Sequence, residues 1–287
     1  MTVPLPNLRH GSISPRAVFA TVIAAVFVSN LDLFVVNVAL PYIGEDYHGA
    51  SLGSLSWVLN AYAIVFAALL VVAGRLADRG GHKAGFQIGL GIFTLGSALC
   101  AVSPGVGWLV GSRVVQALGA AVLMPTSLAL LLATTPPQRR AAVVRAWTAI
   151  GGVAAALGPV AGGLLVQADW RWVFLINIPV GVVALLAGGR VLPSIPGDDP
   201  SAPLPDILGA VVLTISIGAL SLALVKGNEW GWSSGRVIGS LVTAAVLAGW
   251  FVARSARHPS PVVELPMLRV PAFATATVAG MLFMVRP

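Results

Sequence analysis

Gly74-Arg-Leu-Ala-Asp-Arg-Gly-Gly-His-Lys83 is the stretch whose reading decides the fold. It sets four charges and a histidine between two long apolar runs, in a chain of which only 9% is charged. Cationic Arg75, Arg79 and Lys83 surround one anion, Asp78, and the glycines at 74, 80 and 81 permit backbone angles closed to other residues. The apolar chain is expected to turn round here on one side of a membrane. A plain hairpin between membrane helices needs only a few polar residues, so this turn is expected to grip a neighbour as well.

Working outward, the composition agrees with a membrane setting. Of 287 residues 57% are hydrophobic, and the mean hydropathy is +0.91. Several runs of about 20 apolar residues are each long enough to cross a ~30 Å hydrocarbon core. A pI near 10.7 would ordinarily suggest nucleic acid. The basic residues sit at the ends of apolar runs, which fits anionic headgroups and membrane orientation and excludes a nucleic-acid partner. The single cysteine, Cys100, excludes an intramolecular disulfide. The first apolar run follows a polar leader and is too long for a signal-peptide core, so it reads as a retained span.

The pattern predicts an all-α polytopic membrane protein with helices over 17–39, 55–74, 85–103, 107–132, 142–166, 172–190, 206–226 and 236–254. A ninth apolar segment begins near Ala272 and reaches Pro287 after about 15 residues, short of the ~20 that span a bilayer. The domain reading is 1–190 for a six-helix bundle, 191–271 for connectors and an extra two-helix hairpin, and 272–287 for a truncated ninth helix. The connector Val191–Pro205 holds five prolines with Asp198 and Asp199, and so reads as flexible. Arg254–Pro271 is a second connector. With the N-terminus inside, the inner segments carry twelve Lys and Arg and the outer loops only Arg171, Lys226 and Arg236. That bias places the N-terminus in the cytoplasm, in a multi-pass protein of the cytoplasmic membrane. Trp230 and Trp232, in the outer loop of the hairpin, read as interfacial anchors.

Two buried charges stand out. Asp32, in Ser-Asn-Leu-Asp-Leu-Phe-Val-Val-Asn, lies within the first helix, where an acid costs at least about 2.5–3.5 kcal/mol unless paired or wet. Placed seven residues from the outer end at Ala39, it sits roughly 10 Å deep, which favours a functional site facing the bundle interior over the alternative, a helix-end carboxylate reaching interfacial water. Arg113, six residues into the fourth helix, is expected at a similar depth and is the matching cation. The expectation is one polar cavity shared by both, lined also by Gln116 and by Asn37. In the fifth helix Gly158 and Gly162 form a small-residue face, continued by alanines 154 to 156, and Pro159 favours a kink. That spacing serves equally a packing face and a flexing contact between two halves of a transporter. Asp78, just past a helix end among cations, is suited to pair across an interface or with a helix N-terminus, latching one state of a moving bundle. There is no metal-ligand spacing, phosphate loop or nucleophile constellation. His10, His48, His82 and His258 fall in the leader and loops, so an enzyme is not expected.

Taken together these stretches resemble the major facilitator superfamily, in particular its 14-helix drug:proton antiporter branch. The family pattern between helices two and three, G-x-L-a-D-r-x-G-r-k, is matched by Gly74, Leu76, Ala77, Asp78, Arg79, Gly81 and Lys83, with His82 for arginine. The first-helix pattern is matched by Leu31, Asp32, Val35, Val36, Asn37, Val38, Ala39, Leu40 and Pro41, with Phe34 for threonine. The fourth-helix pattern is matched by Arg113, Gln116, Gly119, Ala120 and Ala121, with Ala117 for a glycine. Gly158, Pro159, Gly162 and Gly163 match the antiporter pattern of helix five, with Ala154 at its first glycine, and Trp170–Pro179 looks like the start of helix six. The resemblance implies two six-helix bundles with residues 206–254 as an extra pair between them, and alternating access by rocking. It implies proton-driven efflux of small hydrophobic or cationic compounds, with the proton gradient as energy source and no cofactor. Asp32 and Arg113 would then be proton-coupling residues, and Gly74, Asp78, Arg79, Gly81 and Lys83 the conformational latch. The remaining five helices of the second bundle lie outside this sequence. A non-transporting fragment, a half-transporter needing a partner chain and a solute importer therefore stand as alternatives.

Overall fold

A computed structural model describes residues 14–195, 206–261 and 275. Within them the secondary structure is entirely helical: α1 (Pro15–Asp46), α2 (Leu52–Gly80), α3 (His82–Ala101), α4 (Val106–Ala133), α5 (Pro137–Leu165), α6 (Trp172–Leu175), α7 (Asn177–Val191), α8 (Ile207–Trp230) and α9 (Gly235–Ser255). Counting α6 and α7 as one, eight stretches are long and apolar enough to cross a membrane. The chain is a multi-pass membrane protein.

The helix starts follow local chemistry. Ser51, Asp206 and Ser234 cap α2, α8 and α9 by accepting from the backbone N–H three residues on. Pro15 and Pro137 open α1 and α5, where a missing N–H costs nothing. Pro179 has no N–H for the Leu175 carbonyl, and the sixth span breaks there into α6 and α7. Ile176, at φ −60° and ψ −27°, keeps helical angles, so the two pieces still run as one span.

Several boundaries differ from the sequence expectation, among them the start of α5, at Pro137, and the end of α8, which takes in Trp230 from the expected loop; three bear on the site. The first helix does not stop at Ala39. It passes through Pro41 to Asp46, losing one backbone bond at the proline but keeping the rest, so Asp32 lies near its middle instead of about 10 Å from its end. Gly74–Lys83 is not an extended turn. α2 continues through Gly80, and the reversal falls on Gly81 alone, whose φ of 92° a side chain would resist. His82 accordingly opens α3 and is buried instead of lying in a loop. The ninth segment, 272–287, and most of the two connectors lie outside the described residues.

Packing in a bilayer has no hydrophobic drive and depends on close fit. α3 and α4 lie face to face, as do α1 and α5, while α2 packs on α4 and α7 on both α1 and α3. Apolar clusters close the two ends of the bundle, one around Leu31, Ile43, Trp170 and Phe174, the other around Val22, Phe86, Leu123 and Leu192. Between them Val28, Tyr62, Phe93, Ala117 and Ala120 pack at mid-height. Asp46 ties α1 to the start of α6, accepting from Trp170 Nε1 and Arg171 Nη1, each at 3.0 Å.

α8 and α9 form a hairpin joined at Ser216, whose hydroxyl donates to the Ala244 carbonyl at 2.8 Å. It docks on α2, with Ala210, Val212 and Phe251 against Leu69 and Val72. Polar ties hold both ends: Arg75 Nη1 to Ser260 Oγ at 2.6 Å, and Lys226 Nζ to Ser51 Oγ at 3.4 Å. Asp206 closes the hairpin, accepting from Arg254 Nε at 2.8 and 2.9 Å and from the Gly209 N–H at 2.8 Å. Burial pushes the Asp206 carboxyl up, but the Gly209 N–H and the Arg254 guanidinium outweigh it and hold the carboxyl below its ordinary 3.8. Asp206→Ala is therefore expected to cost about 1–2 kcal/mol through the lost cap alone. Because the folded carboxyl is the stronger acid, its contribution is present above the ordinary value and is lost as pH falls through the folded one. Thermal unfolding in detergent checks this: the gap between wild type and variant stands at neutral pH and shrinks as pH falls below the ordinary 3.8.

Candidate functional site

At mid-height of the bundle, helices α1, α2, α3, α4 and α7 each bring a polar group to one buried point. α1 turns Leu31, Val35, Val36 and Ala39 into the core and Asp32 with them, 1% exposed. α4 brings Arg113, 0% exposed, whose Nη1 donates to Asp32 Oδ2 and, at 2.7 Å, to Gln116 Oε1. Arg113 Nε donates to the Val58 carbonyl of α2 at 3.2 Å, and its guanidinium carbon stands 4.1 Å from the centre of the Tyr62 ring. Gln116 Nε2 donates to Asp32 Oδ1 at 2.9 Å and to Ser97 Oγ of α3 at 2.7 Å. Asn177, the first residue of α7, completes the ring: its Nδ2 donates to Asp32 Oδ1 at 2.8 Å and to Ser97 Oγ at 3.1 Å.

The electrostatics are one-sided. Asp32 accepts from three side chains at once, Arg113 Nη1, Gln116 Nε2 and Asn177 Nδ2. An isolated charge of either sign here would be costly, and the pair is tolerable because each charge is met by the other and by neutral amides. Two buried polar atoms of the ring lack a partner among the described residues: Arg113 Nη2 and Asn177 Oδ1. Close helix approach makes the ring possible. A Cβ on Gly96 would lie 2.7 Å from Gln116 Cα, so a glycine there lets α3 and α4 touch at the site.

The structure thus brings Asp32, Arg113 and Gln116 together, as the sequence suggested. Asn37 does not join them. It sits on the exposed side of α1 and its amide donates to the Leu33 carbonyl at 2.8 Å. Five residues beyond Asp32, it is turned well round the helix from the buried face. Asn177, Ser97 and Tyr62 escaped the sequence reading because an amide, a hydroxyl or a phenol inside an apolar run carries no charge to mark it. The helix-breaking Pro179 two residues on was a usable signal for Asn177.

The Gly74–Lys83 stretch lies elsewhere, at the α2–α3 corner. A Cβ on Gly74 would meet Pro125 of α4 at an ordinary 3.4 Å. Lys83 Nζ donates to the Gly189 carbonyl at 3.0 Å, at the C-terminal end of α7 where a cation is favoured. Asp78 is exposed, 4.0 Å from His82 Nδ1, and Arg79 occupies the last turn of α2. In α5 the antiporter-type motif splits in two. Gly158 and Gly162 pack on α1, where a Cβ would come within 2.3 Å of Phe34 Cβ and 3.0 Å of Val38 Cβ. Pro159 is exposed and Gly163 faces open space.

Comparisons with known proteins agree with this architecture. The Major Facilitator Superfamily profile matches residues 22–286. The methylenomycin A resistance protein of Streptomyces coelicolor is 35% identical over 272 residues, which cover 94% of this chain and 56% of that protein. The tetracenomycin C resistance and export protein of Streptomyces glaucescens is 35% identical over 265 residues, covering 92% and 49%. Among solved structures, the peptide transporter POT in complex with sulfate superposes with a TM-score of 0.62 at 18% identity, covering 88% of this chain and 54% of that one, a likeness of fold. The chain spans about half the length of the curated relatives it matches. With a profile match over nearly the whole sequence and a superposable helical bundle, the chain belongs to the major facilitator superfamily.

Proposed function

We propose that this chain serves proton-coupled export of small hydrophobic or cationic compounds across the cytoplasmic membrane, with Asp32 and Arg113 as the proton-coupling pair. The observation that carries the reading is the fully buried Asp32–Arg113 ion pair within membrane-spanning helices. A proton taken up by Asp32 removes the charge that holds Arg113. The attraction joining α1 to α4 then weakens, while the amide donors of Gln116 and Asn177 lose their anion. One protonation thus changes the balance between helix arrangements, which is what coupling requires. The names of the relatives, resistance and export proteins, support efflux as the direction.

In this reading the N-terminus lies in the cytoplasm, following the Lys and Arg bias. A second bundle, in the same polypeptide or another, completes the substrate path at mid-membrane. The Gly74–Lys83 corner, anchored by Arg75 on Ser260 and by Lys83 on α7, serves as the latch for one state, with Asp78 exposed to meet that second bundle.

The test uses the natural protein in inverted vesicles from an efflux-deficient host. An imposed pH gradient drives uptake of ethidium, a hydrophobic cation. Asp32→Asn is expected to reduce uptake to the level of vesicles without the protein, at equal membrane insertion. Undiminished, protonophore-sensitive uptake by Asp32→Asn would overturn the assignment.

A further inference from the structure

Among the residues of the buried ring, Asn177 has both sides of its amide engaged with one question, whether Asp32 carries a proton. Its Nδ2 donates to Asp32 Oδ1 at 2.8 Å, its Oδ1 is buried with no partner, and the residue is 1% exposed. We propose that Asn177 is a positioning residue that senses the protonation state of Asp32 and links it to α7. The inference rests on the reading of Asp32 as the proton-coupling carboxylate.

The ionised carboxylate accepts only, and the amide meets it with N–H. When a proton adds to a carboxylate oxygen, that oxygen becomes an O–H donor and needs an acceptor. The acceptor at hand is Asn177 Oδ1, and a half-turn about the Cβ–Cγ bond presents it. The same half-turn takes Nδ2 away from Ser97 Oγ, which it holds at 3.1 Å in the ionised state. Asn177 opens α7 directly after the Ile176 break, so a change in its side-chain contacts acts on the start of that helix. Protonation at α1 is thereby passed to α7 and, through Ser97, to α3.

The two bonds are unequal. A hydrogen bond to an ionised group is roughly twice as strong as one between neutral groups. Removing Asn177 therefore takes more from the ionised state than from the acid state, and Asp32 keeps its proton to higher pH. The titratable groups facing Asp32 are Arg113 from α4, Tyr62 from α2 and Cys100 from α3. α6 carries no charged residue, and α5 and α7 carry theirs only towards their far ends, at Arg139, Arg140, Arg145 and Arg190. Arg113 is unchanged by a substitution at Asn177, so the direction of the effect is set by the lost amide.

The experiment is an infrared titration of the purified natural protein in lipid, following the carboxylic-acid C=O band that is absent in Asp32→Asn. In Asn177→Leu the midpoint of this band is expected to move up by roughly one pH unit. Asn177→Asp, an isostere that preserves packing, puts a second carboxylate in the place of Nδ2. Two like charges that close cannot both ionise, so its midpoint is expected to move up further. A purely structural residue would lower yield or stability in Asn177→Leu and leave the midpoint where it was. An unmoved or lowered midpoint in folded Asn177→Leu, or a single unmoved midpoint in Asn177→Asp, would overturn the proposal. The band reports on Asp32 without any transport, so a failed ethidium assay with a shifted midpoint counts against the export reading and leaves Asn177 in its role.

Discussion

Arg113→Leu is expected to destabilise the protein by about 3–5 kcal/mol, and Asp32→Leu added to it to restore much of that loss. The asymmetry comes from what each change leaves behind. Removing the guanidinium strands a carboxylate that is 1% exposed, still ringed by the amides of Gln116 and Asn177, with no countercharge in reach. It also leaves the Val58 carbonyl without the extra donor at 3.2 Å and opens the space over the Tyr62 ring. The carboxylate escapes only by taking a proton, which caps the loss without abolishing it. Removing both charges leaves Gln116 Nε2 and Asn177 Nδ2 still donating to Ser97 at 2.7 and 3.1 Å, so both amide donors keep a partner. Buried ion pairs replaced whole by apolar residues are often neutral for stability, whereas broken ones are not. Thermal unfolding of the purified protein in one detergent, with the fraction running as a monodisperse peak, reads both variants. A single variant as stable as wild type, or a double variant no better than the single, would contradict the account.

The same ring shows how far sequence alone reaches. Asp32 and Arg113 were legible because a charge in an apolar run is a large, local anomaly, and Gln116 because it lies three residues along the same helix face as Arg113. Their meeting was anticipated from estimated depths, although the depth given to Asp32 was wrong. That estimate ends α1 at Ala39, two residues before Pro41. In a bilayer the cost of one lost bond is smaller than that of exposing a whole turn of backbone, and the helix runs on to Asp46. Similar reasoning moves the α2–α3 reversal from a ten-residue turn to Gly81. Asn37, a carboxamide in an apolar helix and so expected at the cavity, lies on the exposed side of α1, because five residues along a helix turn it away from Asp32. Ser97 carries no such mark and Asn177 only the nearby Pro179, since what makes them part of the site is the closeness of α3, α4 and α7, a property of glycines 96, 119 and 181 seen only once the helices are docked.

Gly119→Ala is expected to cost about 3 kcal/mol or more and to expose the site to reagents it now excludes. In isolation the change should help, since alanine is favoured over glycine in a helix by about 1 kcal/mol. The neighbours reverse the sign. A Cβ at Gly119 would stand 2.3 Å from Phe93 N, 2.6 Å from Gly89 O and 2.7 Å from Phe93 Cα, and all three are backbone atoms of α3. No side chain can swing away, so α3 and α4 must part. One turn or so along the same seam lie Gly96 against Gln116 and, beside it, Cys100, whose Sγ is 3.7 Å from Gln116 Oε1. Parting the helices loosens that contact too. Cys100 is the sole cysteine in the sequence and is 0% exposed, so it reports the opening without an added label. Maleimide reaction in membranes is expected to be negligible in wild type and ready in Gly119→Ala. Gly91→Ala is the control: it sits on the same helix as Phe93, but a Cβ there has no heavy atom within 4 Å, and neither stability nor labelling should suffer. If Gly119→Ala matched Gly91→Ala in both measurements, the close seam between α3 and α4 would not be what holds the Asp32–Arg113 ring together.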